Sequence, residues 1–131
     1  MKYFTAIVHQ EDDSAFGLSF PDLPGCFAAA DGWDGIPAAA AEALALWFED
    51  MPDVNPAPLD VVRQRPDVTS ALAAGASLMH VPYIAADAVV ERVNITMERE
   101  LLRAIDQTAK SRGMNRSSFL AAAARHALVG A

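Results

Sequence analysis

At 131 residues, 53% of them apolar, the chain is long enough for one domain or two small ones and carries ample material for a folded core, which excludes wholesale disorder. A single cysteine, Cys26, excludes an internal disulfide framework and cannot by itself make a metal site. With neither a basic-then-apolar leader nor an apolar run near the roughly 20 residues that span a bilayer, the sequence predicts an unexported, cytoplasmic protein.

The net charge of −7 is unevenly placed. Residues 1–90 hold three basic against thirteen acidic residues, a net of −10, and residues 91–131 hold seven against four, a net of +3. An acidic part repels DNA and attracts a basic protein, whereas a basic tail is free to approach phosphates.

In chain order, residues 2–9 are β-branched and aromatic, and Ala15 to Phe20 is a second such run; the polar stretch Gln10-Glu11-Asp12-Asp13-Ser14 between them makes a β-hairpin with a solvated acidic tip. Pro21-Asp22-Leu23-Pro24-Gly25 interrupts the ladder and forms a bend. Cys26 to Ala30 reads as a short third strand, and Asp31-Gly32-Trp33-Asp34-Gly35 as a loop. The spacing of Leu44, Trp47, Phe48 and Met51 predicts a helix over 38–51 with Trp47 and Phe48 in the core, opened by Pro37 and closed before Pro52. Prolines 52, 56, 58 and 66 leave room for a loop and a short helical segment, Leu59 to Arg65, with another at Ser70 to Ala74. Ser77 to Ile84 is a strand that Pro82 assigns to a sheet edge. The first domain is thus β-β-β-α-β in outline, followed by a linker over 85–90.

Arg92-Val93-Asn94-Ile95-Thr96-Met97 alternates strictly, with Val93, Ile95 and Met97 on one side and Arg92, Asn94 and Thr96 on the other. A lone strand has no neighbour for its backbone groups, and the simplest partner is the same strand of a second copy. Two such strands about a two-fold axis form a ribbon that fits the DNA major groove. Glu98 to Arg112 follows as a helix with Leu101, Leu102, Ile105 and Ala109 inward, and Gly113 ends it. Asn115 caps a second helix, Arg116 to Leu128, with Phe119, Leu120, Ala123, Ala127 and Leu128 inward. About forty residues of strand-helix-helix cannot bury both helices alone, so a dimer core is expected from Val93, Ile95, Met97, Leu102, Ile105, Phe119 and Leu120.

For base contact the candidates are Arg92, which suits guanine, Asn94, which suits adenine, and Thr96, which suits a base edge or a thymine methyl. For phosphate contact they are Asn115, Arg116, Ser117 and Ser118 at the start of the second helix. No catalytic set emerges. Asp22, Asp31 and Asp34 sit in Gly- and Pro-rich turns where aspartate serves the backbone. His9, His80 and His126 lack metal-ligand spacing, the first two reading as structural strand residues and the third as a surface one. Cys26 has no basic neighbour to activate it. No metal and no cofactor is expected.

These residues carry a family resemblance. Tyr3 through Phe20-Pro21-Asp22-Leu23-Pro24-Gly25-Cys26-Phe27, and on to the helix with Glu42-Ala43-Leu44, resembles the HicB-type antitoxins of prokaryotic toxin–antitoxin pairs. Arg92 to Thr96, Leu101-Leu102 and Gly113-Met114-Asn115-Arg116-Ser117-Ser118-Phe119-Leu120 resemble the ribbon-helix-helix domain of one branch of that family. The resemblance implies an α+β protein: a degraded ribonuclease-H-like β-β-β-α-β domain over 1–84, binding a small basic HicA-type ribonuclease toxin and covering its catalytic His, then a linker over 85–90 and a ribbon-helix-helix (β-α-α) over 91–131 that dimerises and binds the operator of its own operon. It implies no enzymatic activity and no membrane association; a tetramer is a further option. Two alternatives stay open: a residual Mg²⁺-dependent ribonuclease using Asp22 and neighbouring carboxylates, and a ligand-sensing transcription regulator with no toxin partner.

Overall fold

The computed structural model describes residues 1–10 and 13–130, so Glu11 and Asp12 of the expected acidic hairpin tip lie outside the described residues. The chain divides into two compact units, the first built on Met1–Ala85 and the second on Ala86–Leu128.

In the first unit, among the described residues, strands β1 (Lys2–Gln10), β2 (Phe16–Ser19), β3 (Phe27–Ala30) and β4 (Ser77–Tyr83) form one sheet in the order β3-β2-β1-β4. Every neighbouring pair is antiparallel, with Val8 opposite Leu18, Phe4 opposite Val81 and Leu18 opposite Ala28. Alternation along β1 sends Phe4, Ala6 and Val8 to one face, where Phe16, Leu18 and Val81 join them. Helix α1 (Ile36–Asp50) closes this face with Ile36, Ala40 and Leu44. It starts two residues earlier than the sequence implies, because a 3₁₀ turn at Trp33–Gly35 leads straight into it, with Pro37 in the first turn where its missing N–H costs nothing. Trp47 and Phe48 pack on the core half-buried. Met51, expected at the end of the same apolar stripe, lies past the helix with an extended backbone that takes it off the stripe, and is exposed.

On the opposite face a smaller cluster forms around Ile7, with Val62 and Val68 fully buried and Leu78 and Leu72 packed beside them. Leu78 comes from β4, and Val62, Val68 and Leu72 come from the proline-divided stretch, which folds into α2 (Leu59–Val62) and α3 (Pro66–Ala73). The outline β-β-β-α-β is therefore incomplete. Two short helices between α1 and β4 cover part of the second face, and α3 begins at Pro66 because proline is suited to the first helical turn. β4 lies at an edge, where Pro82 removes no ladder hydrogen bond from a further strand.

Gly17 lies opposite His9 in the ladder. A Cβ on Gly17 would stand 2.6 Å from His9 Nε2, so the exposed imidazole lies across this position and would swing aside for a larger residue.

In the second unit, α4 (Arg99–Ser111) and α5 (Arg116–Val129) are joined by a tight turn. Gly113 has φ +69°, its N–H bonds to Lys110 O at 3.1 Å, and Met114 N–H bonds to Ala109 O at 2.8 Å. This is the Schellman closure, which needs a residue without a Cβ penalty at the left-handed position.

Candidate functional site

The alternating segment 92–97 forms no strand within the single chain. An extended segment becomes a strand only when another backbone pairs with it, and none does here. Val93 is 72% and Ile95 62% exposed, while Met97 is half-buried. Arg92, Asn94 and Thr96 are exposed as well. The inward stripe of α4 is realised at Ile105 and Ala109, which are buried, and Leu102 is half-buried, but Leu101 remains 50% exposed. On α5, Phe119 and Leu120 are half-buried, whereas Ala123, Ala127 and Leu128, expected inward, are exposed. In one copy of the chain α5 has too little surface to pack against.

The start of α5 is ordered by its own side chains. Asn115 Oδ1 accepts the Ser118 N–H at 2.8 Å, and Asn115 O accepts the Phe119 N–H at 3.0 Å, so the Asn115 side chain is engaged as the helix cap. The amides of Arg116 and Ser117 precede the first intrahelical bond and carry the positive end of the helix dipole. Arg116 reaches back to α4: its Nε donates to Asp106 Oδ1 at 2.9 Å and its Nη2 to Asp106 Oδ2 at 2.7 Å. The hydrogen bond from Arg116 holds the Asp106 carboxyl below its ordinary range, and the same bond raises Arg116. Arg112, at the other side of the turn, stands over the Phe119 ring at 5.8 Å.

Among the remaining candidates, Asp22 requires a correction. It does not serve its own turn. Its Oδ2 accepts the Ala57 N–H at 2.9 Å and its Oδ1 pairs with Arg65 at 2.8 Å, with the Asp22 side chain only 9% exposed. The bend itself is closed by backbone bonds, Leu23 N–H to Phe20 O and Cys26 N–H to Leu23 O, both 3.0 Å, which drive Leu23 into the core. Trp47 Nε1 donates to Pro24 O at 3.1 Å. Asp31 and Asp34 are exposed. His9 and His80, expected as structural strand residues, and His126 are exposed too. Cys26 is buried, its thiol directed at Ala43 O at 3.6 Å, and burial pushes it up to about 11. Among the described residues no group of three or more His, Cys, Asp or Glu could hold a metal ion. A small cavity of about 140 Å³, with Met1, Lys2, Asp53 and Tyr83 in its walls, lies by the Lys2–Asp53 ion pair. Among the described residues no helix is long and apolar enough to cross a membrane.

Sequence reasoning missed the Asp22 brace and the Asp106–Arg116 fork. Nothing local to Asp22 signals partners 35 and 43 residues away. Asp106 and Arg116 lie ten residues apart across a glycine turn, opposite charges near the junction of two antiparallel-prone helices, and that signal was available.

The chain thus joins an acidic sheet unit to a basic helix pair preceded by an exposed alternating segment. The chain matches the family model of HicB-like antitoxins of bacterial toxin–antitoxin systems over residues 4–124, and it belongs to that family. It is similar to the crystal structure of the Burkholderia pseudomallei antitoxin HicB, at 28% identity over 98% of this chain and 99% of that one, with a TM-score of 0.55. It is similar also to the crystal structure of antitoxin HicB3, at 32% identity over 97% and 98%, with a TM-score of 0.53. A chain of the HicA3 and HicB3 toxin–antitoxin complex shares the fold at 23% identity over 61% of this chain and 95% of that one, with a TM-score of 0.50. No curated protein matches the chain.

Proposed function

We propose that the protein neutralises a small basic HicA-type ribonuclease toxin through its acidic first unit, read as a degraded ribonuclease-H-like fold, and represses its own operon through a dimeric ribbon-helix-helix over 91–131. It has no catalytic chemistry of its own. Membership of an antitoxin family supports the first half, together with the solved HicA3 and HicB3 toxin–antitoxin complex, a chain of which shares the fold. The observation that carries the second half is the bare segment 92–97, where Val93 and Ile95 face solvent in a single chain. Exposed β-branched residues in alternation with Arg, Asn and Thr are a standing cost unless a second copy pairs with them. Pairing about a two-fold axis buries Val93, Ile95 and Met97 against Leu102, Ile105, Phe119 and Leu120, and repeats Arg92, Asn94 and Thr96 on the groove-facing side. Asn115, Arg116, Ser117 and Ser118 then sit against the phosphates that fix the ribbon's register.

Titration of a labelled duplex from the DNA upstream of the gene tests this. Asn94→Ala is expected to weaken binding by about 1–3 kcal/mol and to relax preference at one base position; unchanged affinity and selectivity would remove Asn94 from the base-reading face.

A further inference from the structure

The fork between Asp106 and Arg116 carries a more specific assignment, which rests on the DNA-binding reading above. Arg116 is the first residue of α5, and its guanidinium reaches back to Asp106 on α4. Among the described residues it is held from one side: Nε and Nη2 donate to the two carboxylate oxygens of Asp106 at 2.9 and 2.7 Å. A guanidinium has five donors on a rigid plane. A side-on fork leaves the edge formed by Nη1 and the second Nη2 hydrogen unused by Asp106, and the side chain keeps 53% of its surface exposed. A lone arginine would have to give up several rotatable bonds to meet a phosphate, and the fork to Asp106 already restricts them.

We infer that Asp106 is a positioning residue for DNA binding: it pins Arg116 side-on so that the free edge of the guanidinium is presented to a phosphate at the start of α5. The same carboxylate is a negative charge near a polyanion, so by charge alone it opposes DNA. The two effects have opposite signs.

The test measures affinity of the full-length protein for two labelled duplexes, the DNA upstream of its gene and a random sequence, in wild type, Asp106→Asn, Asp106→Glu, Arg116→Gln and the Asp106→Asn/Arg116→Gln double variant, with helix content followed by circular dichroism. Asp106→Asn is expected to weaken binding to both duplexes by about 3- to 10-fold, the cost of ordering one long side chain afresh. Asp106→Glu, which keeps the charge and moves the carboxylate by a methylene, is expected to weaken it as well and serves in place of the Asn variant if that one loses helix. In the Arg116→Gln background Asp106→Asn is expected to leave binding unchanged or tighten it, since only the charge effect remains. Affinity of Asp106→Asn equal to or above wild type overturns the assignment. So does an equal loss in the presence and absence of Arg116, which would make the pair a structural clasp alone. A wild type that binds neither duplex overturns the DNA-binding reading itself and the assignment with it.

Discussion

Single residues in this chain do more than their local sequence suggests, and Asp22 is the clearest case. It ties the bend after β2 to Ala57 and Arg65 in the proline-divided stretch, and so fixes the segment that carries Val62 and Val68 to the second face of the sheet. Asp22→Ala leaves the Ala57 amide and a partly covered guanidinium without their acceptor, and is expected to lower stability by about 1–3 kcal/mol in urea unfolding. A loss within error of zero would mean that the prolines alone hold the stretch. Cys26 is a second case. Its ordinary value of 9.0 is raised to about 11 by burial. Between those values the unfolded chain ionises and the folded one does not, so the stability tied to the neutral thiol is intact below pH 9 and falls as the pH climbs towards 11. Wild type is expected to lose stability over that interval relative to Cys26→Ala, and its thiol to resist alkylation at pH 8 until denaturant is added.

At the scale of elements, strands and helices follow alternation and helical spacing closely where a neighbour in the same chain receives the apolar side. β1, β2, β4 and α1 are of this kind, and α4 is closed by the turn at Gly113 as its chemistry dictates. The segment 92–97 and the outer side of α5 depart from the pattern for one reason: their apolar residues have no receiver within the chain. Val93→Glu is expected to hold the full-length protein as a monomer in light scattering after size exclusion, while the wild type runs as a dimer or larger. A dimer in the Val93→Glu variant would place the self-association surface elsewhere. α2 and α3 escaped a firm sequence outline because four prolines in the stretch from 52 to 66 break the periodicity that would reveal them.

For the whole molecule, the charge division coincides with a division into compact units, the acidic residues lying mainly in the unit of Met1–Ala85 and the basic excess in Ala86–Leu128. Residues 1–84 expressed alone are therefore expected to relieve the growth arrest caused by a co-expressed HicA-type toxin, with operator binding lost. Continued arrest would show that the second unit takes part in neutralisation. The sequence by itself determined the core-facing alternation of the strands, the glycine turn between α4 and α5, and the family, because these depend on spacing between near neighbours and on residue type. Only the tertiary structure decided that Asp22 braces a distant segment, that His9 lies across Gly17, and that Asp106 grips Arg116. Each of these depends on where remote parts of the backbone come to rest, which is set by the summed burial of the sheet faces and the helix turn and leaves no mark on the residues around any one partner.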